Sequence, residues 1–374
     1  MRVKRSLVRL REEDGVTLVF VALAMTILLG ATALSVDFGS LFADRRGMVN
    51  AADAASLAAA EAYALHEDEC GSDSVARAKA NQLATANVPV AVPDDRAGNS
   101  PYVVDCEART VTVKYYRDHD YLFAPAVGIG DTQVGSEATA AWGPASGVGS
   151  VLPLMLTMGR LTTCDIPNES EGTDCWFYLD NGPSGLGTAD WAFLNVQPDC
   201  AANKFGWNVS VSSCPSRVGN PDPTYTCPAF SDAEMRDLIA NGSPALSMDP
   251  DGVTYVCVRR GASTSVMHDI EDLEGQDRTF PVNDPEKQIR NGGTVCPPPC
   301  RPSGPDFYAI IGFLDMHIAD VYYGNGNWDP VNCPGPAGGN ARCLHLVWIG
   351  FHTEPGPICE ECVDLGVSSV ELQG

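Results

Sequence analysis

The uncharged run Val16–Val36, 21 residues long, constrains this chain more than any other feature. As a helix rising ~1.5 Å per residue, it matches the ~30 Å hydrocarbon core of a bilayer. Residues 1–15 then form a short basic tail, and 16–36 a transmembrane helix. No proline occurs between Asp37 and Ala64, and Ala, Leu, Met, Glu and Arg dominate there. Helix propensity is therefore high past the membrane boundary. The expectation is one unbroken helix whose outer part, 37–66, stands off the bilayer as a stalk.

Two cues set the orientation. Arg2, Lys4, Arg5, Arg9 and Arg11 precede the apolar run, while Arg45 and Arg46 beyond it are offset by Asp37 and Asp44. The positive-inside rule then puts the N-terminus in the cytoplasm. All 14 cysteines follow the run, which places them in an oxidising, extracytoplasmic compartment. A secretory signal peptide is the alternative reading, with Ala31-Thr32-Ala33 as its small-residue cleavage site. Its apolar core would be shorter, so a retained single-pass anchor in the cell membrane is preferred.

The chain carries 48 Asp and Glu against 24 Lys and Arg. With five of those bases before the span, the exported part is strongly acidic and excludes nucleic acid as a partner, since phosphate binding needs clustered Lys and Arg. The bilayer is the one partner the residues specify, through 16–36. Small residues recur at every fourth position as Ala31, Ser35, Gly39, Ala43 and Gly47, continuing through Ala51, Ala55 and Ala59. Small side chains at this spacing let a second helix approach closely, which would give a helix-mediated oligomer. Simple alanine richness explains them equally well, and a period of four drifts around a 3.6-residue helix.

The segment Ser35-Val-Asp-Phe-Gly-Ser-Leu-Phe-Ala-Asp-Arg-Arg-Gly-Met-Val-Asn-Ala-Ala-Asp-Ala-Ala-Ser-Leu-Ala-Ala-Ala60 is distinctive. It resembles the N-terminal signature of the TadE/TadG-like proteins of Flp (tight adherence) pilus assembly. Gly15 opens the apolar helix, Asp37 and Gly39 form the Asp-x-Gly, Arg45 and Arg46 the basic pair, and Asn50 and Asp53 stand in the Ala-rich block. The resemblance covers about 50 residues. It implies a bacterial, membrane-anchored component of an adhesive pilus system that works with other pilus-assembly proteins and is not an enzyme. Pilins cut by a prepilin peptidase carry Glu five residues after the cleavage-site Gly, where this chain has Phe20. The likeness is thus nearer to the uncut TadG-like type than to cleaved pseudopilins.

Beyond the helix the pattern reads as α+β. Residues 67–142 form a small helix-plus-antiparallel-sheet domain, with a helix over Ser72–Ala86 and strands at Tyr102–Val104, Thr110–Tyr116 and Thr132–Trp142. Cys70 and Cys106 are the only cysteines in it and are expected to pair. Tyr115, Tyr116 and Tyr121 read as packing rather than as a binding surface. The Gly- and Ser-rich stretch 143–150 reads as a linker. Residues 151–374 form a mostly β, disulfide-rich ectodomain holding Cys164, Cys175, Cys200, Cys214, Cys227, Cys257, Cys296, Cys300, Cys333, Cys343, Cys359 and Cys362, whose pairing the sequence leaves open. Its clearest helix is Ser231–Ala240, with Ser231 and Glu234 as a capping box.

The search for chemistry finds no catalytic, cofactor or metal motif. There is no Gly-x-Ser-x-Gly elbow, His-Glu-x-x-His helix or phosphate loop. Asp249-Pro-Asp-Gly252 lacks the later ligands of a calcium loop and reads as a turn. His345 and His352, seven residues apart, would fall on opposite faces of one strand, against a shared metal. Three functions remain: a membrane-anchored structural component of pilus assembly, a surface adhesin using the same anchor apart from a pilus, and an envelope hydrolase or redox enzyme. The first fits the motifs best.

Overall fold

In a computed structural model of the chain, a single helix, α1, runs without a break from Lys4 to Leu65. The structure describes residues 4–65, 70, 74–98, 100–166, 171–178, 191–194, 231–243, 246–249, 251–259, 263–287, 289–290, 294–295, 307–323, 342–354 and 356–373. Side chains are described from Thr17 onward along α1, and no residue of its apolar window is buried, which makes this stretch a candidate membrane span. The hydroxyls in that span are satisfied inside the helix. Thr26, Thr32 and Ser35 donate to the carbonyls of Ala22, Leu28 and Ala31, each at 2.8 Å.

The outer half of α1 is not a free stalk. Asp37, Met48, Ala51, Ala55, Ala58 and Ala62 are buried, and Leu41 and Asp44 are partly covered. Those positions advance by alternating steps of three and four, a stripe that stays on one helix face. Alanine dominates it because small side chains let other elements come close to the helix backbone.

The chain divides into two compact units: 1–59, 71–140 and 372–374 form the first, and 60–70 with 141–371 the second. In the first, α2 (Ser74–Asn87) buries Ala76, Ala80 and Ala84, one face at four-residue spacing. Its strands are β1 (Val92–Pro93), β2 (Tyr102–Asp105), β3 (Thr110–His119) and β4 (Thr132–Pro144), whose last residues enter the second unit. β3 pairs antiparallel with both β1 and β2 and lies beside β4. Its alternation buries Val111, Val113 and Tyr115. The Tyr115 hydroxyl lies 2.6 Å from that of Tyr102 and donates to Asn81 on α2 at 3.0 Å. Burial, together with the neighbouring Tyr102, pushes the Tyr115 phenol far above its ordinary pKa, so this tyrosine is a neutral packing group.

The second unit holds β5 (Gly147–Val148), β6 (Leu154–Thr157), β7 (Asp174–Tyr178), β8 (Trp191–Leu194), β9 (Leu246–Ser247), β10 (Thr254–Arg259) and β11 (Asp277–Asn283). There follow β12 (Ile289–Arg290), β13 (Thr294–Val295), β14 (Phe307–Tyr323), β15 (Arg342–Trp348), β16 (His352–Thr353) and β17 (Val367–Gln373), the last two residues of which count with the first unit. The 17-residue β14 is its spine, pairing antiparallel with β10, β11, β12 and β15. β6 lies parallel to β11, and β7 continues the sheet beyond β15. Residues 308–314 of β14 are buried without interruption. That explains why the run is continuously apolar rather than alternating. Ile311, Leu314, Met316 and Ile318 join one apolar cluster, and Tyr308, Ile310 and Phe313 another.

Among the described residues of this unit are the helices α3 (Met158–Thr163), α4 (Asp232–Asn241) and α5 (Thr264–Glu271). α4 carries the expected capping box: the Glu234 amide donates to the Ser231 hydroxyl, and the Ser231 amide to the Glu234 carboxylate. α5 was not legible as a helix, although Ser263 caps it and Val266, Met267 and Ile270 are buried. Its eight residues are too few for a strong periodic signal. Residues 143–150 are not a flexible linker. β4 continues to Pro144, and β5 pairs antiparallel with β9. A Cβ on Gly147 would stand 3.0 Å from the Leu246 carbonyl, so close approach accounts for this glycine.

Phe280 on β11 is fully buried in the larger cluster. Phe280→Ala is expected to destabilise the second unit by about 3–5 kcal/mol, read as a lower midpoint in chemical denaturation of the detergent-solubilised chain.

Candidate functional site

Asp37 is the only buried carboxylate among the described residues. It sits on α1 one residue past the uncharged run, where burying an unpaired charge would be costly. The cost is met by backbone. The Leu122 amide donates to Oδ1 at 2.9 Å, the Ala124 amide to Oδ2 at 2.7 Å, and the Phe123 amide to both oxygens at 3.1 Å. These three residues lead into a 3-10 turn, Ala124–Val127, whose N-cap residue, Phe123, makes no capping bond with its own side chain. Asp37 thus serves as an N-cap supplied from a distant helix, on amides that nothing within the turn can satisfy. Burial works to raise its pKa; the three amides and the nearby His119 outweigh that and hold the carboxyl below its ordinary value.

Seven residues on, and so on the same face of α1, Asp44 makes a second attachment. Its Oδ1 accepts from Arg117 at 2.9 Å, and its Oδ2 lies 2.5 Å from Nδ1 of the buried His119. The edge of Tyr121 stands against the His119 ring at 4.9 Å. One strand end and its following loop are therefore pinned to α1 at two levels. No group of three His, Cys, Asp or Glu among the described residues could hold a metal. The arrangement fixes this strand end and its loop to α1 within the first unit.

Residues 15–62 match the family model described as "Putative Flp pilus-assembly TadE/G-like". The N-terminal segment is TadE/G-like. No curated protein and no solved structure matches the chain. Within the TadE/G-like segment, Gly15 lies in α1, Asp37 is the buried cap, and Arg45, Arg46 and Asn50 are exposed, while Asp53 is half-buried. Within the motif, Asp37 is the buried residue that holds the fold, while Gly39, Arg45, Arg46 and Asn50 face solvent.

The every-fourth row of small residues changes character along the helix. Ala31, Ser35, Gly39 and Ala43 are exposed, Gly47 is half-buried, and Ala51, Ala55 and Ala59 are buried. A Cβ on Gly47 would touch Val88 at 3.4 Å, whereas one on Gly39 would meet nothing. From Ala51 onward α1 is buried on most sides, with Ala52, Ser56, Ala60 and Tyr63 also covered, so the row is buried there by its position along the helix.

Sequence reading missed Arg117, His119 and the amides of residues 122–124, and treated Asp44 only as a charge offset. Their partners lie 73 to 87 residues away in the chain, a separation that no local pattern records. The seven-residue spacing of Asp37 and Asp44 was the available clue.

Cys164 is bonded to Cys175, and Cys359 to Cys362, so the last pair is a disulfide rather than a metal clip. Cys70, Cys106 and Cys343 are also in disulfides. Cys200, Cys214, Cys227, Cys296, Cys300 and Cys333, with the side chain of Cys257, lie outside the described residues. Peptide mapping of the non-reduced chain is expected to recover Cys70 and Cys106 in one linked fragment.

His345 and His352 do not share a strand. β15 ends at Trp348, Gly350 turns the chain at φ +90°, and His352 begins β16. His345 lies against Trp176, ring on ring at 4.4 Å, between Asp320 at 2.8 Å and Asp174 at 3.1 Å. His352 stands 3.0 Å from Asp315 and 3.5 Å from Glu354. Burial works to lower the His352 pKa, but Asp315 and then Glu354 outweigh it, and the net shift is upward. A raised folded-state pKa contributes stability fully present below the ordinary histidine value of ~6.5 and lost as pH rises through the folded value. The melting temperature is therefore expected to fall as pH is raised from about 6 to about 8, and His352→Gln to flatten that slope.

Proposed function

We propose that the chain is a membrane-anchored structural component of a Tad/Flp pilus-assembly system, and that it is not an enzyme. One coincidence carries this reading: the TadE/G-like match, residues 15–62, covers both the apolar span and the Asp37 and Asp44 attachments. A sequence signature that spans anchor and docking face is what a fixed platform requires. The five bases before the span support an N-terminus in the cytoplasm, and the disulfides support an extracytoplasmic ectodomain. The strongly acidic exported surface supports protein partners over nucleic acid.

Crosslinking in native membranes followed by affinity capture of the full chain is the test. Recovery of other pilus-assembly proteins is the expected result. A deletion strain with unchanged piliation and adhesion would overturn the proposal. Protease treatment of sealed spheroplasts checks the orientation, with the region after residue 66 expected to be digested from outside.

A further inference from the structure

We propose that the loop 121–130 is a second membrane contact, laying Leu122, Phe123 and Ile129 against the same bilayer surface from which α1 emerges. The inference rests on reading Val16–Val36 as a bilayer span. Three observations carry it.

The first is composition. Tyr121-Leu-Phe-Ala-Pro-Ala-Val-Gly-Ile-Gly130 has no charge, yet it joins two strands of a strongly acidic protein and is flanked by Asp118, Asp120 and Asp131. A loop in water is ordinarily polar, because nothing is gained by exposing apolar groups there. The second is exposure. Leu122 is 72% exposed and Ile129 55%, with Phe123 also open, and Phe42 on α1 is 66% exposed and Phe38 51%. These are large apolar groups that the first unit leaves uncovered.

The third is level, and it names the occupant. The amides of Leu122, Phe123 and Ala124 are bonded directly to the Asp37 carboxylate, one residue beyond the span. Since α1 is unbroken there, Phe42 stands only about 9 Å past Val36 along the axis, close to the depth of the headgroup layer. The apolar loop is thus held at the level of the membrane boundary. It is also held in shape, because the Ala126, Gly128 and Ile129 amides donate to Phe123, Pro125 and Ala124. With acidic flanks and no base in the loop, the contact is apolar and favours zwitterionic lipid over anionic lipid. It also limits how far the domain can tilt on its helix.

The test uses the full chain reconstituted in phosphatidylcholine vesicles doped with a lipid carrying a diazirine on its acyl chain near the glycerol. After illumination, mass spectrometry is expected to find lipid adducts on peptides from both 16–36 and 121–130. Leu122→Gln with Ile129→Gln should remove most of the loop adducts and leave the helix adducts unchanged, in low and high salt alike. Helix adducts without loop adducts in the unaltered chain would overturn the loop contact and leave the anchor standing. Absence of both would overturn the anchor as well.

Discussion

Asp37→Ala will release the loop 121–130 from α1 while leaving the helix itself intact. In the native chain one carboxylate accepts from three consecutive amides, and those amides have no other partner to turn to. Removing it leaves the start of a 3-10 turn uncapped beside an apolar helix, where water replaces the lost bonds poorly. Hydrogen exchange on the reconstituted full chain reads this directly, and the amides of Leu122, Phe123 and Ala124 should exchange about tenfold faster or more. Helix amides between Met48 and Ala59 should be unchanged, since that stretch is buried through its own alanines. Asp37→Asn keeps an acceptor but not the charge, and its effect should be smaller. Unchanged exchange in Asp37→Ala would mean that Asp44 and the sheet alone position the loop.

The same carboxylate sets the acid limit of this attachment. A folded-state pKa held below the ordinary value contributes stability that is present above that value and is lost as pH falls through the folded one. The attachment therefore persists in mildly acidic surroundings, and the loop comes free only in strong acid.

Gly252→Ala will destabilise the second unit more than any other single methyl group added to a described glycine. Gly252 has φ +72°, and a Cβ placed there would stand 2.1 Å from the Glu361 carbonyl oxygen and 2.6 Å from its carbon. Both are backbone atoms, in the loop closed by the Cys359–Cys362 disulfide, so no side-chain rotation can relieve the contact. A left-handed conformation and a forced backbone shift together cost about 3 kcal/mol or more. For a unit of this size that lowers the melting temperature by roughly 10 °C. Gly159→Ala in α3, where a Cβ meets nothing within 4 Å, is the control and should be neutral or slightly stabilising. Equal melting temperatures for the two variants would show that the 359–362 loop yields.

The turn at Asp249–Gly252 illustrates how far sequence reading reached. Its residues read as a turn before a strand, and the Gly252 amide does donate to the Asp249 carbonyl ahead of β10. Why the glycine is needed was not legible, because the atoms it must clear belong to Glu361, more than a hundred residues later. Tyr115 behaves similarly: its packing role follows from its place on a strand, while its bond to Asn81 does not.

What the sequence determined by itself is what depends on one-dimensional pattern. The length of Val16–Val36, the lack of a helix breaker after it and the spacing of Asp37, Arg45, Arg46 and Asp53 were enough to place a continuous apolar helix and its TadE/G-like segment. The α+β class and the mostly β, disulfide-bearing C-terminal region followed from alternation, turn residues and cysteine content. Only the tertiary structure decided how far α1 is covered: Ala43 is exposed while Ala51, Ala52, Ala55 and Ala58 are buried, although all are alanines on one uninterrupted helix. Only it showed that Asp37 caps a turn from 85 residues away. A backbone amide carries no sequence signature as a partner, so a carboxylate bound by three of them looks, in one dimension, like any other acid on a helix.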